Sequence, residues 1–435
     1  MHQRATPLVS LTLALASGFL MPAAPASADE TFTATAAITL PGGQHLGSFD
    51  ISYVDPVIGL YALADRTNKA VDVADVGHNV IINQFGKGIF TGTAPCTPPA
   101  GANDCAGPNG VLIVDHRELW VGDGNSTVKV FDLAGSNTTP THVISTGGTR
   151  RADELCAAED DHVVLMANDA DAPFPFISFI STQTYTVLKK IVFDGTNGTV
   201  KATNGIEQCQ FDPRTNKFYL NIPEVNGPGD DSVPGAVVTL SPETLNIVDT
   251  FMIPLASCAG PQGMAIGPRP QILLGCNGGA AGGAGASAVI NEHNGSVLAT
   301  LANEAGADEV WFNPGDGHYF IARSGAKPNQ LLGVIDARGD KEDASAVTGP
   351  AGAPNSHSVA ADSESNHVFV PIGANHGTVC TQAGGNSVVG CIAVFTAPHE
   401  DRDDCVAQGS PVITASNGDD DAKTMKASCR DRDRD

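Results

Sequence analysis

The sequence predicts an all-β chain: a seven-bladed β-propeller of four-stranded blades, with the ring closed by an N-terminal strand. Three observations carry this expectation. Glycine and proline are frequent, 48 and 28 of 435 residues, while apolar runs are short and long amphipathic helices are absent. One pattern recurs seven times: polar residue, apolar strand, tight Asp/Asn/Gly/Pro turn, apolar strand, polar loop. Finally, the last unit lacks a fourth strand and the first segment offers a spare one.

In chain order, residues 1–28 read as a signal peptide. Arg4 precedes an apolar run from Leu8 to Met21, followed by Ala26-Ser27-Ala28, an A-x-A cleavage site. Cleavage is expected after Ala28, giving a soluble, exported product in the periplasm or the medium. No other segment approaches the roughly 18 uninterrupted apolar residues of a membrane span. The spare strand, "TFTATAAITLP" (31–41), comes next.

The seven units follow. Blade 1 opens with "FDISYVDPVIGLYALAD" (49–65) and continues through "AVDVADVGHNVIINQF" (70–85). Blades 2 and 3 open with "NGVLIVDHRELWVGD" (109–123) and "DELCAAEDDHVVLMAND" (153–169). Blade 4 joins "EQCQFDPRTNKFYLNIP" (207–223) to "GAVVTLSPETLNIVDTFMIP" (235–254). Blade 5 joins "QGMAIGPRPQILLGCNG" (262–278) to "SAVINEHNGSVLATL" (287–301). Blade 6 opens with "GADEVWFNPGDGHYFIA" (306–322) and blade 7 with "HSVAADSESNHVFVPIG" (357–373), ending at "CIAVFTA" (391–397). The aligned positions 50, 109, 153, 207, 262, 308 and 357 are 44 to 59 residues apart. That spacing suits units of about 40 to 50 residues with four short strands each. Closure by the first segment would remove the edges that an open array exposes. The propeller domain is placed at 29–398, and residues 399–435 read as a charged, disordered tail without apolar periodicity.

Charge and cysteines bound the function. The formal charge is -24, and loss of residues 1–28 removes Arg4 but no acid. Such a surface repels phosphate backbones, so nucleic acid is not an expected partner. Ten cysteines in an exported chain point to disulfides. Cys96 with Cys105 and Cys380 with Cys391 are the best local pairs, the latter bracketing a hairpin-like excursion. Cys156–Cys209, Cys258–Cys276 and Cys405–Cys429 are further candidates. No haem, nucleotide or flavin motif occurs, nor G-x-S-x-G, H-E-x-x-H or a complete EF-hand loop. Asn125, Asn137, Asn197 and Asn294 head N-x-S/T sequons.

The candidate site lies where the innermost strands begin. In a propeller those starts ring one channel mouth, and here they are Asp50, Asn109, Asp153, Glu207, Gln262, Asp308 and His357. All are polar, which explains why an apolar strand such as that of blade 6 begins with acids. Asp50, Asp153, Glu207 and Asp308 are candidate ligands for calcium or another divalent cation, which could polarise a carbonyl or activate water. A solvated channel would equally favour polar starts. Loops between second and third strands belong on the same face, and Arg66, Arg151 and Arg323 could hold a ligand carboxylate there, or pair with their acidic surroundings. His116, His162, His318 and His367 share one repeat position at the opposite turns. There they are expected on the surface, away from the axis, too dispersed to converge to about 2 Å on one ion.

The segments "GLYALADRTNKAVDVADV" (59–76), "LWVGDGNSTVKVFDL" (119–133) and "FDPRTNKFYLNI" (211–222) resemble the YVTN/lactonase-like seven-bladed propellers over about residues 31–397. The YVTN signature itself is not spelled out in any blade. The resemblance implies the fold. It also implies a choice between sugar-lactone hydrolases, some with a channel-mouth metal, and exported or surface proteins without established chemistry. The expected function is an exported scaffold, a monomer, binding a small molecule or a protein on its loop-rich face. The alternative is a metal-dependent lactonase or related hydrolase.

Overall fold

In a computed structural model, the described residues are 32–397 except 94–95, 97–100, 102, 279–285, 324–329, 344–345 and 350–355. The expected signal peptide, the tail and the Cys405–Cys429 pair lie outside them. Within them, seven antiparallel sheets form a ring. Their innermost strands are Ser52–Asp55, Val111–Val114, Leu155–Ala158, Cys209–Asp212, Pro261–Ile266, Ala307–Asn313 and Ala360–Ala361. Each touches the next in cyclic order, and the seventh touches the first.

The ring closes as the sequence predicts. Thr33–Ile38 pairs antiparallel with Cys391–Thr396 and becomes the outermost strand of blade 7. Blade 6 departs from regularity at its outer edge. Its fourth strand comes in two pieces, Lys341–Glu342 and Ala346–Gly349, both pairing with Gln330–Asp336. The excursion between Cys380 and Cys391 is not a hairpin. It opens with a single helical turn, Val379–Gln382, whose last carbonyls are capped by Ala383 and Gly385.

Seven apolar clusters hold the blades together, one at each junction between neighbouring blades. A second strand therefore serves two cores. In Glu118–Asp123, Leu119 and Val121 pack toward blade 1 while Trp120 packs toward blade 3. Strands covered on both faces read as continuous apolar runs, whereas the outermost strands, such as Val80–Phe85, alternate exposed and covered residues. This also explains how a chain with only 6% aromatic residues builds its core.

Among the described residues there are four disulfides: Cys96–Cys105, Cys156–Cys209, Cys258–Cys276 and Cys380–Cys391. Cys156–Cys209 ties the innermost strands of blades 3 and 4 together.

Candidate functional site

The axial channel has two unlike ends. At one end the polar strand starts are brought together, and two loop arginines, Arg66 and Arg151, lie among them. Arg66 is buried and ion-paired with Asp50, and its Nε and Nη2 donate to Asn109 Oδ1 at 3.1 and 2.7 Å. Asn109 in turn donates to the Ala152 carbonyl at 3.0 Å, fastening blade 2 to blade 3. Arg151 ion-pairs with Asp169 and lies 2.7 Å from Asp153 Oδ2 through Nε, off the hydrogen-bond line. His357 Nδ1 stands 3.2 Å from Asp308 Oδ2 and 3.8 Å from Asp50 Oδ1, while its ring stacks on Phe49.

Three of the four candidate metal ligands thus face a basic side chain: Asp50 and Asp153 an arginine, Asp308 the imidazole of His357. Glu207 is the fourth. Burial, with Asp169, Asp308 and Asp153 close by, pushes its carboxyl well above the usual range. Burial likewise pushes Asp153 up to about 8, the charges of Asp50 and Asp169 outweighing part of the pull of Arg151. The Asp308 and Asp50 charges raise His357 against the opposing effect of burial. Among the described residues, no group of three or more His, Cys, Asp or Glu is arranged to hold a metal ion. Gln262 enters the pattern through its carbonyl, which accepts from Asn221 Nδ2 at 2.8 Å. Arg323 does not join the ring. Its Nε donates to the Ala305 carbonyl at 3.0 Å and its Nη1 lies 3.8 Å from Glu304.

One residue deeper, a second layer comprises Ile51, Gly110, Glu154, Gln208, Gly263, Glu309 and Ser358. Its small members let the inner strands close up. A Cβ at Gly110 would lie 2.0 Å from the Asp153 carbonyl oxygen, to which the Gly110 N–H donates at 3.0 Å. Ser358 Oγ accepts from the Ser52 N–H at 2.8 Å across the blade 7–1 junction. Glu154 and Glu309 are buried near each other, and burial with their mutual charge pushes both carboxyls well above the usual range. Gln208 is fixed by accepting from the Met264 N–H at 2.6 Å.

Below this layer the channel opens into a cavity of about 590 Å³. Glu154 and Gln208 line its inner end, Tyr53, Phe211, Trp311 and Phe312 its walls, and Asp55, His116, Glu159 and Asp160 its outer end. The mouth lies among the turns between first and second strands, opposite the loop-rich face. Tyr53 and Trp311 meet edge to face, centroids 5.6 Å apart. Burial, with the Asp55 and Glu159 charges, pushes the Tyr53 hydroxyl up, so it stays protonated.

His116 corrects one sequence expectation: it lines the axial cavity, with Nδ1 2.8 Å from Asp55 Oδ2. His318 is also not a surface residue. It is buried against Phe32 and Phe320 at the blade 6–7 junction. Sequence reasoning missed Glu154 and Gln208 as a layer of their own. The available signal was the doubled polar pair at one repeat position, Asp153-Glu154, Glu207-Gln208 and Asp308-Glu309. The first member of each turns to the ring region and the second to the interior layer.

In comparisons with known proteins, the chain matches no family model and no curated protein. The likeness to YVTN/lactonase-like propellers therefore stands on the quoted segments and the seven-bladed ring. No helix among the described residues is long and apolar enough to cross a membrane.

Proposed function

We propose that this chain is an exported binding propeller that takes a small molecule into its axial cavity. The supporting observation is the cavity itself. At about 590 Å³, with aromatic and aliphatic walls and polar groups at its two ends, it falls within the range of small-molecule sites. The opposite mouth offers less: Arg66 and Arg151 already occupy it in ion pairs with Asp50 and Asp169, which a ligand there would displace. Four disulfides are compatible with export to an oxidising compartment. Blades locked by a closed ring give a rigid wall, which lowers the ordering cost of binding.

The test is a thermal-shift screen of a small-molecule library on residues 29–435 and on Ala157→Phe. Ala157 is half-buried and lines the cavity, so the larger ring narrows it. Hits that raise the melting temperature should lose their effect in Ala157→Phe. Hits that shift both proteins equally would place binding elsewhere and defeat the proposal.

A further inference from the structure

The geometry points to an organic cation as the occupant of the axial cavity: a quaternary ammonium or protonated amine with an apolar body. This rests on the reading of the cavity as a small-molecule site and specifies what it selects. Three features converge. First, the charged side chains lining the cavity are Asp55, Glu154, Glu159 and Asp160, and the lining contains no lysine or arginine. The single histidine, His116, is engaged by Asp55 at 2.8 Å. An anion would meet acids at both the outer and inner ends, whereas a cation is drawn in by them.

Second, the inner end presents Glu154, buried beside Glu309. A cation's head placed there would favour the charged form of that pair, with little water to screen the attraction. The guanidinium groups of Arg66 and Arg151 are held by Asp50, Asp153 and Asp169 in the ring at the strand starts.

Third, the walls between the two acidic ends are aromatic. Tyr53, Phe211, Trp311 and Phe312 are each only partly buried and line the cavity. Aromatic faces attract cations, tryptophan most strongly, while also covering an apolar body. A neutral apolar ligand would use the walls and leave the acids idle; a bare metal ion would use the acids and leave the walls idle. An organic cation uses both.

The experiment compares three probes of one shape by calorimetry on residues 29–435. They are choline, its uncharged isostere 3,3-dimethylbutan-1-ol, and 3,3-dimethylbutanoate. Benzyltrimethylammonium serves as a larger cation. The cations should bind at least about tenfold more tightly than the alcohol, and the anion should not bind. Glu154→Gln should remove most of that preference, and Trp311→Leu should weaken the cations more than the alcohol. Having two variants guards against one failing to fold, which melting would show. If the alcohol binds as well as choline, the charge inference is wrong while the cavity remains a binding site. If none of the four probes binds but library hits are lost in Ala157→Phe, the cation inference again fails alone. If no probe binds and no hit depends on Ala157, both readings fail.

Discussion

The two ends of the channel are built from the same strands, yet one is filled and the other open. At the ring end, Arg66 reaches in from a loop to pair with Asp50, and Arg151 pairs with Asp169 and lies against Asp153. At the other end, aromatic side chains stand back from the axis and leave about 590 Å³. Polarity at a channel mouth is therefore not the same as availability. Charges that satisfy one another hold blades together, and the room for a ligand lies where side chains do not meet.

That difference can be broken from the ring side first. Arg66→Met would strand Asp50 and Asn109 in a buried place. Removing one partner of a buried ion pair costs about 3–5 kcal/mol. Denaturant unfolding should show a loss of that size, and a loss under about 1 kcal/mol would mean that Arg66 does not brace the ring. Arg151→Met should follow with about 2–3 kcal/mol, since its side chain is less fully covered and solvent screens part of the pair.

Protonation sharpens the contrast without a large structural change. Asp153, Glu207, Glu154, Glu309 and His357 all have raised values in the folded protein. The folded state then holds more protons than the unfolded chain. Stability is fully present below the unfolded values and falls as pH rises through the folded ones. The melting temperature should drop by roughly 3–6 °C between about pH 5 and pH 9. Glu154→Gln should flatten that slope, because it removes one of the two interacting buried carboxyls. A melting temperature that rises over this range would contradict the assignment. The smallest effect belongs to the open end. His116 is half exposed, so His116→Ala should cost under about 1 kcal/mol in the same unfolding measurement.

Much of the architecture was legible because blades repeat their chemistry. Polar starts, tight turns and fully covered second strands marked each unit, and the unpaired "TFTATAAITLP" located the closure. The loop cysteine pairs were legible from spacing alone. The open cavity was not. Tyr53, Phe211 and Trp311 lie in apolar inner strands, and periodicity cannot separate a side chain lining the axis from one filling a blade junction. Nor could it show that Arg66, 16 residues from Asp50 in sequence, turns back to fill the ring. His116 looked like its repeat mates, yet it alone of the four lines the cavity, while His318 turns inward against Phe32. The repeat fixes the backbone position of such residues and leaves their direction to local packing.

The most direct measurement is quenching of Trp311 fluorescence by acrylamide in Trp120→Phe, which leaves Trp311 as the one tryptophan of the two in the chain. Trp120 is fully buried, whereas Trp311 is half-buried on the cavity wall. An open cavity predicts efficient quenching that falls when Ala157→Phe is added, and caesium quenching better than iodide past the acidic mouth. Trp311 emission insensitive to acrylamide, or unchanged by Ala157→Phe, would contradict an open channel end.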